Sequence, residues 1–380
     1  MRDIFVKKEE KDEAGFNIGV ALSRKSTKGE IGIEIEVEGN KFPKPPGYEG
    51  THHAVSLPDT KYWSYVHDGS LRGQDNAEYV LTKPVMFSEM EGAIGELFGR
   101  LQKFGSVIED SNRTSVHVHL NCQSFHFNRL TSLMALYFTF EEVLTEWCGE
   151  HRVGNLFCLR AKDAPAIVTQ IKRFIRSDGR SDLRDHLHYA GLNANALFKF
   201  GSLEFRSLRG VSDPSIILDW VGILERLYHL SAEFQDPRDI CAMFSGEGPL
   251  AFFDSILGDK SSVIRKGISF NDDQIRESMY DGIRLAQDLC YCRDWDRFKA
   301  IEVKPDPFDR DIKKVMKKLA GNTLGQAGSA LELLAAGGNP MAFATASPTA
   351  APQWVHAAPP EPEPDIDVFD VEQFWGETNI

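Results

Sequence analysis

The run Ile31-Gly-Ile-Glu-Ile-Glu-Val-Glu38 alternates strictly. Ile31, Ile33, Ile35 and Val37 fall on one face of a β-strand, and Glu34, Glu36 and Glu38 on the other. Residues two apart on one face are separated by about 6.5–7 Å. Carboxylates in such a row repel one another unless water or a cation lies between them. A hard divalent cation prefers carboxylate oxygen. The solvated outer face of an amphipathic strand would read the same way.

Three further segments share the design. In Thr114-Ser-Val-His-Val-His-Leu-Asn121, Val116, Val118 and Leu120 form the apolar face, and His117, His119 and Asn121 the polar one. One imidazole can ligate a metal while its neighbour holds a substrate or phosphate; two surface histidines are the plainer alternative. In Gly201-Ser-Leu-Glu-Phe-Arg-Ser-Leu-Arg209, Leu203 and Phe205 face the core, with Glu204 and Arg206 opposite. That pair is either a structural ion pair or a carboxylate for a cation beside a guanidinium for phosphoryl oxygens. In Ala77-Glu-Tyr-Val-Leu-Thr82, Glu78 shares a face with Val80 and Thr82. If these strands form one sheet, one face packs on helices and the other is lined with carboxylates, imidazoles and a guanidinium.

The elements that would hold these residues follow from periodicity. Strands are expected at 30–38, Tyr62–Val66, Ala77–Thr82, Thr114–Asn121, Leu197–Phe200 and Leu203–Leu208. Residues 39–60, with Pro43, Pro45, Pro46, Gly47, Gly50 and Pro58 and with His52 and His53, read as a long loop, and Asp68-Gly-Ser-Leu-Arg-Gly73 as a turn. Helices are expected at 87–104, 128–147, Asp163–Ile175, Pro214–Phe234, 247–257, 271–289 and 309–319. The helix at 128–147 is apolar nearly all round, so it belongs in the interior against a sheet. Asp213-Pro214 is an N-cap followed by proline at the first helical position. Residues 1–28 read as a charged lead-in, 29–319 as one catalytic domain, and 320–380 as an Ala/Gly/Pro-rich linker and an acidic, aromatic tail.

Composition narrows the function classes. A chain of 380 residues can bury a large core. A formal net charge of −13 argues against non-specific nucleic-acid or anionic-membrane binding. No apolar run reaches the roughly 18–20 residues of a membrane span, and the first residues lack a signal-peptide core. Cys122, Cys148, Cys158, Cys241, Cys290 and Cys292 are scattered and read as reduced thiols in a cytoplasmic protein.

The order Gly-x-Glu-x-Glu, Asp-Gly-Ser with a Glu-bearing strand, His-Val-His and Glu-Phe-Arg resembles the amidoligase family. That family belongs with the carboxylate–amine ligases, the superfamily of glutamine synthetase and glutamate–cysteine ligase. Arg152-Val-Gly-Asn-Leu-Phe-Cys158 looks like the family's Arg…Asn…Cys stretch, and His188-Tyr-Ala-Gly-Leu-Asn193 like its Tyr…Asn segment. The resemblance spans about residues 30–215. It implies an α+β fold of the glutamine synthetase type: a curved, mostly antiparallel sheet with helices on one face. Its concave face would hold ATP and more than one Mg²⁺ or Mn²⁺. The implied reaction is ATP-dependent amide formation through an acyl phosphate. Glu34, Glu36, Glu78 and Glu204 match the metal-ligand carboxylates and His117 the metal-ligand histidine. His119 matches a nucleotide or substrate contact, and Arg206 the phosphate-binding arginine.

The chemistry agrees with those residue types. Phosphoryl transfer between anions needs charge neutralisation and in-line positioning more than a base. Carboxylate-held cations and an arginine supply both. Asp68 is the candidate to take the proton from the amine, with a plain turn residue as the alternative. Arg152 and Arg160 are candidate carboxylate-substrate clamps, with salt bridges as the alternative, and Asn193 is a candidate substrate contact. The expected substrates are an amine and the carboxylate of an amino acid, peptide or protein. The acidic tail reads as a solubilising segment, with docking to a protein partner as the alternative. Two readings compete: a metal-dependent hydrolase, and a scaffold that works through its acidic tail. Glu-x-Glu favours hard cations, against the zinc of the first. A guanidino kinase would be a variant within the same fold.

Overall fold

Strict alternation around Glu34 produces the longest strand of the protein. In the computed structural model, which describes residues 17–24, 27–48, 53–72, 75–181, 183 and 189–296, this strand is β1 (Ile31–Asn40). The other strands are β2 (Val55–Ser56), β3 (Trp63–Val66), β4 (Asp75–Leu81), β5 (Val107–Ile108), β6 (Ser115–Asn121), β7 (Leu192–Asn193) and β8 (Ser202–Arg209). They form one open sheet in the order β2-β3-β4-β1-β6-β8-β7, with β5 pairing the end of β1. Every pairing between these strands is antiparallel. β1 therefore lies between β4 and β6, and its alternation is read by a partner on each side. Ile31, Ile33, Ile35 and Val37 are all buried on the apolar face.

Ten helices lie among the described residues: α1 (Ile18–Ala21), α2 (Met90–Phe104), α3 (Phe127–Cys148), α4 (Ala166–Arg176), α5 (Ala196–Phe200), α6 (Pro214–Leu230), α7 (Arg238–Glu247), α8 (Pro249–Leu257), α9 (Lys260–Gly267) and α10 (Asp272–Cys290). α3 packs on β8 and α6 on β6, so the apolar face of the sheet is closed by helices. The Tyr137 ring of α3 meets the Phe205 ring at 4.9 Å, edge to face. α10 runs against α3 at close range, where a Cβ on Gly282 would fall 2.5 Å from the Phe138 carbonyl oxygen. Asp213 caps α6 by accepting the Ser215 N–H at 2.9 Å, with Pro214 at the first helical position, as the sequence predicts.

Several elements differ from expectation. Leu197–Phe200 is not a strand: it is the helical turn α5, ended by Gly201 in the left-handed region at φ 75°. Four residues, Leu-Phe-Lys-Phe, are too few for periodicity to choose, and the glycine C-cap decides. The helix expected from Asp163 begins at Ala166, because residues ahead of Pro165 are driven out of the helical region. α7 and α9 were not foreseen, and β2 lies inside the expected long loop. The lead-in ends before residue 28: Asn17 caps α1, and Ile18 is wholly buried. The expected helix at 309–319, the linker and tail at 320–380, His52 and His188 lie outside the described residues. All six cysteines are buried free thiols. Among the described residues no helix is long and apolar enough to cross a membrane.

Candidate active site

Strand register brings the expected ligand residues together on the polar face. Glu36 faces Glu78 across β1–β4, Glu34 faces His117 across β1–β6, and His119 faces Glu204 across β6–β8. Asn193 of β7 faces Glu204 on its other side. This face is not simply solvated: Glu36, Glu38, His117 and Glu204 are all at most 7 % exposed.

β8 departs from regular pairing where the site needs it. Val118 faces Phe205 but Val116 faces Leu208, so β8 carries one extra residue opposite His117. Such a bulge re-aims a side chain. Here it sends Arg206 across the cluster. The Arg206 guanidinium pairs with Glu204, lies 3.4 Å from His117 Nδ1 and donates from Nε to the Phe157 carbonyl.

The central contacts are short and mutual. His117 Nδ1 lies 3.2 Å from Glu34 Oε2 and 3.6 Å from Glu204 Oε1. His119 Nε2 lies 3.3 Å from Glu34 Oε1 and 4.0 Å from Glu204 Oε1. Asn193 Nδ2 donates to Glu204 Oε2 at 2.6 Å. The His119 ring is held from behind by Ser202 Oγ, 3.1 Å from Nδ1. Its Nε2 is buried and out of line for a hydrogen bond. Ligand atoms of Glu34, His119 and Glu204 all fall within 4.8 Å of one another. Two carboxylate oxygens and an orphaned imidazole nitrogen converging on one point fit a divalent cation. The expectation gave His117 this place; both imidazoles reach the cluster, from opposite sides of Glu34.

Electrostatics divides the carboxylates. Burial would raise the Glu34 carboxyl, but its contacts with His117 and His119 outweigh burial and hold it well below the usual range. Burial likewise opposes ionisation of Glu204, and the charges of His119, Arg206 and His117 prevail and lower it. His119 is driven down by burial but lifted further by Glu34 and Glu204, so it ends above the usual imidazole range. For Glu78 the pull of the Arg206 charge is the weaker effect. Burial, then the carboxylates of Glu34, Glu36 and Asp68, push it up to about 9. A second cation position beside Glu36 and Glu78 would relieve that repulsion.

The remaining expected residues are placed as follows. Asp68 sits at the turn beside Glu78 and accepts the Ser70 N–H at 2.7 Å and its hydroxyl at 2.9 Å. Arg152 differs from the open clamp expected of it: it is 2 % exposed, and its guanidinium is taken up by backbone carbonyls. Nε donates to Ser207 O at 2.9 Å and Nη2 to Arg206 O at 2.7 Å, so it braces the bulge. Arg160 pairs with Asp163 at 2.6 Å and lies 3.8 Å from Glu142, away from the cluster. Glu38 ties two loops to β1 through the Arg72 N–H and the Ser111 hydroxyl. The sequence reading missed Ser115 and Ser202, although both lie two residues from a histidine or Glu204 on the same strand face. A cavity of about 250 Å³ opens beside Glu34 and His119, walled by Val80, Pro84 and Phe200.

No curated protein matches the chain. The model of the family described as "Putative amidoligase enzyme" matches residues 27–224, the stretch that carries every strand of the sheet and every residue of the cluster. That match covers more than half of the 380 residues, and the chain belongs to the amidoligase family.

Proposed function

We propose that this protein is an ATP- and Mg²⁺-dependent (or Mn²⁺-dependent) carboxylate–amine ligase of the glutamine synthetase-like superfamily. Its acyl donor would be the carboxylate of an amino acid, peptide or protein side chain, activated as an acyl phosphate and captured by an amine. The observation that carries this reading is the convergence of Glu34, His119 and Glu204 beside the Arg206 guanidinium. Family membership supports the amide-forming chemistry.

Glu34, His119 and Glu204 would hold one divalent cation, with His117 alongside, and Glu36 and Glu78 a second. When bound, the cations neutralise phosphate charge and polarise the transferring phosphoryl group. The protein's own residues do the positioning. Arg206, paired with Glu204 in the protein alone, would meet a phosphoryl oxygen with a planar pair of donors. Asn193 keeps Glu204 oriented through its 2.6 Å hydrogen bond. Ser202 keeps His119 aimed with Nε2 inward. The cavity beside Glu34 and His119, lined by Val80, Pro84 and Phe200 together with Thr82, Lys83 and Asn121, would take the part of a substrate next to the cation. Asp68, whose carboxylate accepts from Ser70 within its turn, would be the group to accept the proton that the amine must lose.

The test is ADP and phosphate release from ATP with Mg²⁺, across pooled amino acids, polyamines and short Glu-containing peptides. Glu34→Gln and Arg206→Ala are assayed beside the wild type. Release that needs both a carboxylate and an amine, and that falls at least about 100-fold in each variant, is expected. Absence of both release and Mg-ATP binding would overturn the proposal.

A further inference from the structure

Ser115 occupies a position in the site that neither motif nor family assigns. It is the first residue of β6, 5 % exposed, on the same face as His117 and one step past Ile35–Val116, the last pair of the β1–β6 register. Its hydroxyl oxygen lies 2.7 Å from Glu36 Oε2 and 2.7 Å from His117 Nε2. Its backbone N–H also donates to Glu36 Oε2, at 2.8 Å.

Hydrogen-bond direction resolves this chain. A hydroxyl has one hydrogen to give and lone pairs to receive. Glu36 Oε2 already accepts the Ser115 N–H, so it acts as an acceptor, and the hydroxyl hydrogen must point to it. Otherwise two oxygen lone pairs would face each other at 2.7 Å. The hydroxyl oxygen is then left to accept, and the partner that donates is His117 Nε2–H. As an imidazolium His117 carries a proton on each nitrogen and helps to lower Glu34 and Glu204; the neutral ring, the form that can ligate a cation, carries one. With that proton on Nε2, Nδ1 carries a lone pair.

Nδ1 has one donor and two acceptors around it. Arg206 Nη1, which can only donate, lies 3.4 Å away. Glu34 Oε2 and Glu204 Oε1, acceptors both, lie 3.2 and 3.6 Å away. A lone pair on Nδ1 therefore satisfies the arginine and leaves an acceptor–acceptor contact with the two carboxylates. A cation between them removes that conflict.

We infer that Ser115 is a positioning residue that locks His117 in its Nε2–H tautomer, so that Nδ1 faces the Glu34–Glu204 cluster as a cation ligand. Glu36 is the anchor of the lock: it orients the hydroxyl that orients the imidazole. The ligating role rests on the reading of the cluster as a cation site; the tautomer does not. Outer partners that fix a ligand's tautomer typically change metal affinity about 10–100-fold when removed.

The experiment has two readouts on the same proteins. The first is the two-bond ¹H–¹⁵N correlation of ¹⁵N-histidine-labelled, metal-free protein in alkaline buffer, with His117→Gln used to assign the signal. The wild type is expected to show His117 protonated on Nε2 alone. Ser115→Ala is expected to show an Nδ1–H or mixed ring, and Ser115→Thr, which keeps the hydroxyl, to restore the Nε2–H form. The second readout is Mn²⁺ affinity by electron paramagnetic resonance, expected to fall about 10–100-fold in Ser115→Ala and to recover in Ser115→Thr. Thermal melts of all three check folding, and a Ser115→Ala protein that does not fold leaves the wild-type tautomer as the deciding measurement. A wild-type ring protonated on Nδ1, or a folded Ser115→Ala with the wild-type tautomer, would overturn the assignment. Failure of wild type to bind Mn²⁺ would instead overturn the cation site and the ligating role of Nδ1, leaving the tautomer to be judged by the first readout.

Discussion

Glu78 offers the sharpest test of the electrostatic reading. It lies across from Glu36 and is raised to about 9 by burial and by Glu34, Glu36 and Asp68. In the unfolded chain it titrates near the ordinary glutamate value of about 4.3. Between those values the folded protein holds a proton that the unfolded chain has lost. Stability in cation-free buffer must therefore fall as pH rises through that window. One retained proton corresponds to a slope of about −1.4 kcal/mol per pH unit. From about pH 5.5 to 7.5 the full effect would be about 2.7 kcal/mol, and the partial exposure of Glu78 screens it to about 1–2 kcal/mol. Glu141, raised to about 8 by burial, and His119, whose folded-state gain fades as pH rises above the imidazole range, add slope of the same sign. Glu34 and Glu204, lowered in the fold, act elsewhere, giving stability that is lost as pH falls below the glutamate range. Glu78→Gln keeps the shape and removes the titration. Urea denaturation with chelator at the two pH values should show wild-type stability falling, and the variant losing about 1–2 kcal/mol less across the same interval. Added Mg²⁺ should stabilise the wild type more at the higher pH and the variant less at both. A variant with the same pH slope as wild type, or one less stable at pH 7.5 without cation, would refute the reasoning.

Two structural predictions accompany it. Arg152→Ala leaves the carbonyls of Arg206 and Ser207 without their donors and opens a buried volume, so it should cost about 3–5 kcal/mol by urea denaturation; a loss under about 1 kcal/mol would show that the bulge does not need its brace. Gly201→Ala puts a side chain at φ 75° and drives its Cβ into the Gln123 side chain, which itself holds Thr27 and Phe200; about 2 kcal/mol or more should be lost in thermal melts.

Much of the site is legible in local sequence because it is built on strands. Period-two alternation places Glu34 and Glu36, His117 and His119, and Glu204 and Arg206 on polar faces without any knowledge of neighbours. The same rule carries Ser115 and Ser202 onto those faces, and the signal was there to be read. Helix ends marked by Asp213-Pro214 are similarly local. The acceptors of Arg152 and Arg160 were not legible, although a salt bridge was the alternative and Arg160 makes one, because an arginine's role depends on which acceptor lies within reach of a long side chain. Here these are a strand carbonyl 54 residues away and an aspartate three residues away.

Sequence alone determined which residues share a face and the family, since these follow from spacing and identity. Tertiary structure decided the rest. Strand order brought Glu34, His119 and Glu204 within reach of one cation. The bulge, which exists only where β6 and β8 pair unequally, aimed Arg206. Burial of a charged face set Glu34 low and Glu78 high, although the two are the same residue type. The physical reason is that pKa and ligation depend on what lies within a few ångströms through space, and only long-range pairing fixes that.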